Sequence, residues 1–459
     1  MQALKDYLNK FVGGRFVIVG KGPTPFDFST LGEIGDPVIF INDAVQFAPL
    51  ATRSRQKFFF ALDARQALWL KNLGGATPVL ASGPDDEYLA KYAKLVPERL
   101  FTDHLPADQF PDPADGLVTW KYGHFAGHLM ELTRDEIARR NQLTVGFKGT
   151  IAPAIHFAWL CGAREIAFIG CDGNRAGYDP RIEIASGAPN LNQQAAIRAN
   201  QDRICADLGL ETEYVAGPRL APRIPRRMNF AWFGPDVPGW VVKTIEAFRA
   251  DHPAWHIRLW RDLPDRMAPE LRRAAERCDQ WCQWADLLYL HLLYDEGGFV
   301  MDTDSICVRS FEPLRAHPAF TTRHRDITGN RLTNGVMGSA PRSPAAELAM
   351  RAAMRLSDTL PPGEKFPRCS FGPTLLTELF GGETGGMTIL PHWYFYPFRT
   401  GERELARQFA SAAGGIDALL KGRVPDGERP YAVHLWGVDD SSHTPVESAL
   451  AARLAGRDG

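Results

Sequence analysis

Residues 284–306 read WADLLYLHLLYDEGGFVMDTDSI. From Trp284 to Tyr294 apolar side chains recur at helical spacing with Asp286 set among them, and Gly297-Gly298 then breaks the pattern. The apolar run Phe299-Val300-Met301 is too short for a helix, so it reads as a buried strand emptying into the acidic loop Asp302-Thr303-Asp304. Two carboxylates at the end of a buried strand are costly to leave unpaired, so a positive partner is expected there. An oxygen-liganded divalent cation is the first candidate.

Outward from this stretch the chain alternates strand and helix. On its N-terminal side lie a strand at 228–233 (MNFAWF), a Gly234-Pro235 turn, a helix over 240–251, a strand at 256–260 (HIRLW) and a helix over 271–278. Residues 217–225, GPRLAPRIP, have the proline-rich composition of a stiff linker. Before it the same alternation runs once already: strands at 15–20 (RFVIVG), 38–42 (VIFIN) and 57–62 (KFFFAL, ending at Asp63), a helix-strand unit from Gly149 to Asp172, and a helix over 191–208. At 459 residues the chain exceeds the size of a single core. The pattern predicts an α/β protein of two Rossmann-like domains, residues 1–216 and 226–459, joined by 217–225.

Composition narrows the function classes. Fifty-two Lys and Arg against 54 Asp and Glu give a formal charge of −2, which supplies no whole-chain field for nucleic acid. The seven cysteines are scattered without a CxxC pair, which argues against a disulfide framework or zinc site and fits a reducing cytoplasm. The first residues lack the apolar core of a signal peptide, and no run of about 18 apolar residues occurs. A soluble chain is expected, at most peripherally associated with the inner face of the cytoplasmic membrane.

Several residues stand out for their chemistry. The pair Asp302 and Asp304 could hold an ion that stabilises a departing diphosphate, with Asp286 as a further carboxylate. In the first half, Gly20-Lys21-Gly22 follows a strand, and such a turn either lets backbone amides approach a phosphate or simply closes a strand exit. Thr150 is placed to cap the helix that carries His156, a histidine expected to be packed rather than catalytic. The aromatic run Trp393-Tyr394-Phe395-Tyr396 reads as core, although sugar rings also pack on such side chains. A metal-dependent phosphoesterase would use paired aspartates too, but with more histidine and asparagine ligands than this half displays.

The half from Ile224 onward resembles glycosyltransferase family 32, the DXD sugar transferases. The resemblance rests on IPRRMNFAWFGPDVPGWVVKTIEAFRADHPAWHIRLW at 224–260 and on WADLLYLHLLYDEGGFVMDTDSI. It implies a GT-A fold, a nucleotide-sugar donor, Mn2+ or Mg2+, and retention of anomeric configuration. By position, Phe230, Ala231 and Trp232 would border the base, Asp286 would contact the donor, and Asp302 and Asp304 would serve ribose and metal. Asn334-Gly335-Val336-Met337 and Phe371-Gly372-Pro373-Thr374 look like substrate-side loops, with Asn334 and Gly372 against the donor, and His434, near Trp436, would complete the metal site. Tyr289 stands where that family commonly has arginine, which removes a cation from the donor pocket.

The first half resembles glycosyltransferase family 42, the sialyltransferases, through GKGP at 20–23, FIND at 40–43 and the segment at 149–173. That resemblance would place Gly20, Gly22 and Asn42 on a second sugar-nucleotide pocket. No histidine occurs between Asp172 and His252, where that family keeps its catalytic one. The expected function is metal-dependent glycosyl transfer to a cell-surface polysaccharide or lipid-linked oligosaccharide. Two alternatives stay open: both halves transfer sugar, or the first half is a non-catalytic acceptor- or partner-binding module.

Overall fold

The computed structural model describes residues 4–61, 75–84, 118–125, 133–145, 150–171, 194–324, 331–361, 363–382, 385–402 and 419–435. Asp63, Gly149, Asp172 and Trp436 lie outside them. The chain divides into two compact units, Met1–Leu220 and Ala221–Gly459. Within 217–225, Leu220 is buried in a core of the first unit and Ile224 in a core of the second.

The first unit is an eight-stranded sheet. Its strands are β1 (Arg15–Val19), β2 (Val38–Ile41), β3 (Lys57–Ala61), β4 (Thr77–Pro84), β5 (Val118–Phe125), β6 (Gln142–Val145), β7 (Glu165–Ile169) and β8 (Glu211–Tyr214). They run parallel in the order β6-β5-β4-β3-β2-β1-β7-β8. Helices α1 (Arg134–Arg140), α2 (Ile151–Leu160) and α3 (Gln194–Asp207) connect the later strands. The fully buried RFVIV, VIFI and EIAFI strands are the continuous apolar runs that a two-face-covered parallel sheet requires. Among the described residues the chain opens with a 3-10 turn at Leu4–Tyr7.

The second unit holds a six-stranded mixed sheet, ordered β10-β9-β11-β14-β13-β15. These are β9 (Arg227–Ala231), β10 (His256–Trp260), β11 (Gly298–Met301), β13 (Ala319–Arg323), β14 (Leu332–Ser339) and β15 (Thr388–Leu390). A separate antiparallel ribbon pairs β12 (Ser305–Cys307) with β16 (Ala432–His434). Helices α4 (Gly239–Asp251), α5 (Pro269–Glu276), α6 (Trp281–Asp295), α7 (Pro344–Ser357) and α8 (Pro373–Phe380) pack around the sheet. The expected α/β class is therefore observed in both units.

The diglycine does what the sequence implied. Gly297 and Gly298 have φ values of 65° and 101°, and a Cβ on them would meet the Pro341 nitrogen at 2.6 Å and the Arg227 carbonyl at 2.9 Å. Only glycine accepts that path, which turns the chain from α6 directly into β11. Asn334-Gly335-Val336-Met337, read from sequence as a loop, is instead the middle of β14, with Met301 opposite Val336. Inside the sheet, Asn229 is satisfied on both sides: its amide donates to the Phe299 carbonyl and its oxygen accepts the Trp260 indole N–H at 3.0 Å.

Glu312 ties the start of β9 to this sheet. It accepts two hydrogen bonds from Arg226, one from the Trp255 indole at 2.6 Å and one from Arg315 at 3.0 Å. Burial alone would raise its pKa, but these donors outweigh it and hold the carboxyl down at about 2. A depressed carboxylate stabilises the fold above its unfolded pKa of about 4.3, and that gain is lost as pH falls toward the folded value. Glu312→Gln is thus expected to lower stability by about 1 kcal/mol at neutral pH, the half-open setting limiting the effect. The variant's melting temperature should also vary less than wild type between about pH 4.5 and 2.

Candidate active site

The strand β11 delivers Asp302 to the edge of a cleft of about 1010 Å3. Asp302 is held by its own N–H on the Gly335 carbonyl at 2.8 Å, and its carbonyl accepts from Ser305 N–H at 3.1 Å, closing the turn that carries Asp304. Ser305 opens β12, whose partner in β16 is His434. That pairing puts His434 Nε2 3.4 Å from Asp302 Oδ2 and 3.3 Å from Asp304 Oδ1. One ligand atom from each of the three residues lies within 4.8 Å of the others.

The charges are coupled. Burial lowers the affinity of His434 for a proton, yet the adjacent Asp304 and Asp302 outweigh it and raise the imidazole pKa. Burial pushes the Asp302 carboxyl up, Asp304 adds to that, and His434 opposes it. Two carboxylates and an imidazole form a nitrogen-oxygen donor set suited to a divalent ion, and the imidazole favours Mn2+ over Mg2+.

A second cluster lies beside the first. Asn334, on β14, donates to Asp286 Oδ1 from its side-chain amide. Burial, and then the charge of Asp302, raise Asp286 to about 8, while Asn334 and Arg368 pull it back. Gly372 ends the segment before α8; a Cβ there would meet Asp286 Oδ2 at 2.7 Å. Its bare backbone therefore closes against the carboxylate.

Of the sequence-predicted donor residues, Ala231, Trp232, Asp286, Tyr289, Asp302 and Asn334 line the cleft. Phe230 does not: it is fully buried and packs on Phe248 at 6.0 Å. Both faces of β9 are covered, so alternation in the sequence cannot reveal which residue points where. Tyr289 is 1% exposed, and its hydroxyl donates to the Met301 carbonyl at 3.1 Å. It braces the end of β11.

Tyr396, Arg331, Arg368, Cys369 and Trp281 also line the cleft and were not anticipated. The only hint was the aromatic run at 393–396, where Phe395 and Tyr396 are indeed buried.

In the first unit, the glycine turn after β1 lies where strand order reverses between β1 and β7. Its amides are engaged, however: Gly20 N–H donates to the Ile169 carbonyl and Gly22 N–H to Gly170, both at 2.8 Å. A Cβ on Gly20 would meet Cys171 Sγ at 2.6 Å. The close approach that Gly20 permits is to Gly170 and Cys171, just past the end of β7.

Asn42 adopts φ 52°, and its Oδ1 accepts from Thr150 Oγ1 at 3.2 Å. Thr150 occupies the N-terminal position of α2 in helical backbone geometry, φ −67° and ψ −14°, and makes no side-chain cap; its hydroxyl donates to Asn42 instead. His156 is buried and stacks on Trp159 at 5.6 Å, a packed histidine as expected.

This arrangement sets two carboxylates and an imidazole together at the edge of one cleft. Residues 238–321 match the family described as glycosyltransferase sugar-binding region containing DXD motif. That segment of the second unit is therefore similar to the sugar-binding region of glycosyltransferases. The match runs from the entry of α4 to β13 and takes in Asp286, Asp302 and Asp304, while Asn334 and His434 lie outside it.

No curated protein matches the chain significantly. Among solved structures it is similar to the PaToxG glycosyltransferase, with 13% identity and a TM-score of 0.28 over 51% of this chain and 88% of that one. It is also similar to a glycosyltransferase involved in the glycosylation of the major capsid of PBCV-1, with 12% identity and a TM-score of 0.28 over 49% and 98%. For GlyE of Streptococcus pneumoniae TIGR4 the values are 14% and 0.31 over 50% and 62%. No helix among the described residues is long and apolar enough to cross a membrane.

Proposed function

We infer that the protein transfers a sugar from a nucleotide-sugar donor to a glycan acceptor, a cell-surface polysaccharide or lipid-linked oligosaccharide, at the cleft of the second unit. The observation that carries this reading is the convergence of Asp302, Asp304 and His434 on one point of that cleft. When bound there, Mn2+ or Mg2+ would neutralise the charge that builds on the leaving diphosphate. Asp302 and Asp304 would hold the ion, and His434 would offer the third ligand in its neutral form. Asp286, fixed by Asn334 and walled by Gly372, binds the donor sugar's hydroxyls. Ala231 and Trp232 border the base. Retention of anomeric configuration rests on the family resemblance, and NMR of the product anomer tests it.

The experiment is a screen of nucleotide sugars for diphosphate release by the intact protein with Mn2+. The expected result is release from one donor or a small set, abolished by chelation and restored by added Mn2+. Absence of release from every donor, with and without glycan acceptors, overturns the reading.

A further inference from the structure

Helix α6 turns residues 281, 282, 285, 286 and 289 toward the cleft. At about 1.5 Å per residue, Trp281 stands about 12 Å along the axis from Tyr289, which braces β11, and about 7.5 Å from Asp286. The helix therefore measures the cleft from the acidic centre outward, with Trp281 at its far end.

Trp281 is 54% exposed, more than any other large apolar residue described. A single exposed indole is unremarkable by itself. Its setting is not: Trp284 meets it edge-on at 5.3 Å, and Phe233, another cleft residue, packs edge-on to Trp284 at 5.6 Å. The ring is braced from behind while half of its surface faces water inside a substrate cleft. A fixed, uncharged aromatic face matches the apolar C–H face of a pyranose. It does not match a diphosphate, which belongs with the charged groups at the other end.

We propose that Trp281 is the stacking platform for the acceptor's sugar ring, one ring outward from the sugar that Asp286 holds. This rests on the transferase reading. Trp281 thereby acts as a specificity residue for a glycan acceptor and makes no contact with the reacting bond.

The test uses the full chain and two readouts. Saturation-transfer NMR with a panel of methyl hexopyranosides and short oligosaccharides needs no turnover. Wild type is expected to bind at least one, Trp281→Ala to bind it about tenfold more weakly, and Trp281→Phe to recover most of the loss. In kinetic assays Trp281→Ala should raise acceptor KM by a similar factor while donor KM and acceptor-free donor hydrolysis stay within about twofold.

Saccharide binding unchanged in Trp281→Ala, or absent in wild type, overturns the proposal. A rise in donor KM with acceptor KM unchanged also overturns it, reassigning Trp281 to the nucleotide base. Saccharide binding that depends on Trp281 in a protein that hydrolyses no donor supports the platform and overturns the transferase reading instead.

Discussion

Asp304→Asn is expected to lower metal-dependent turnover by about a thousandfold, the loss that follows when several kcal/mol of charge stabilisation on the leaving group are removed. The fold should not suffer. Asp304 repels Asp302 but attracts the His434 imidazole, so removing its charge relieves one interaction as it loses the other in the metal-free protein. The melting temperature without metal should stay close to wild type, and the rise on adding Mn2+ should shrink or vanish. Near-normal turnover by a normally folded variant would remove the carboxylate pair from the chemistry.

Gly335→Ala gives the second large effect, and by geometry alone. The added methyl would sit 2.7 Å from Asp302 Oδ2, 2.8 Å from the Tyr396 hydroxyl and 3.3 Å from His434 Cδ2. All three neighbours line the cleft, so relief of the clash must move the site. A displacement of about 1 Å is enough to cost about a hundredfold in rate. Alanine costs a strand interior no more than the glycine it replaces, and β14 keeps its ladder to β11, so the change in melting temperature should be small. Gly382→Ala is the control, since nothing lies within 4 Å of the position its Cβ would take. Equal activity in the two variants would show that Asp302 and His434 need not stand where they do.

The legible parts of this chain were those governed by neighbours in sequence. The strands RFVIV, VIFI and EIAFI announced a parallel sheet because burial on both faces demands unbroken apolar runs. Residues 256–260 form the strand read for them, and the helix read from Trp284 starts three residues earlier, at Trp281, where Gln280 and Gln283 make a reciprocal cap. Asp302 and Asp304 were visible because a buried strand ending in two carboxylates is a local anomaly. The resemblance names Asn334 as a loop residue. In fact it sits on a strand, whose antiparallel pairing with β11 sets its distance from Asp286.

Phe230 shows the opposite case. It lies one residue from Ala231, which does line the cleft, yet faces the core. Which of two neighbours points inward is a matter of strand phase, and a strand buried on both faces carries no mark of it.

The sequence by itself determined the α/β class and the acidic loop, because helix and strand periodicity, the diglycine break and the cost of stranded charge act over a few residues. Only the tertiary structure decided what surrounds that loop. His434 stands 132 residues from Asp302 and reaches it through the pairing of β12 with β16. Tyr396, Arg331, Arg368 and Trp281 join the cleft from separate elements with no shared spacing. The physical reason is that sheet pairing and helix packing bring distant residues together through contacts that leave no local periodicity in the chain.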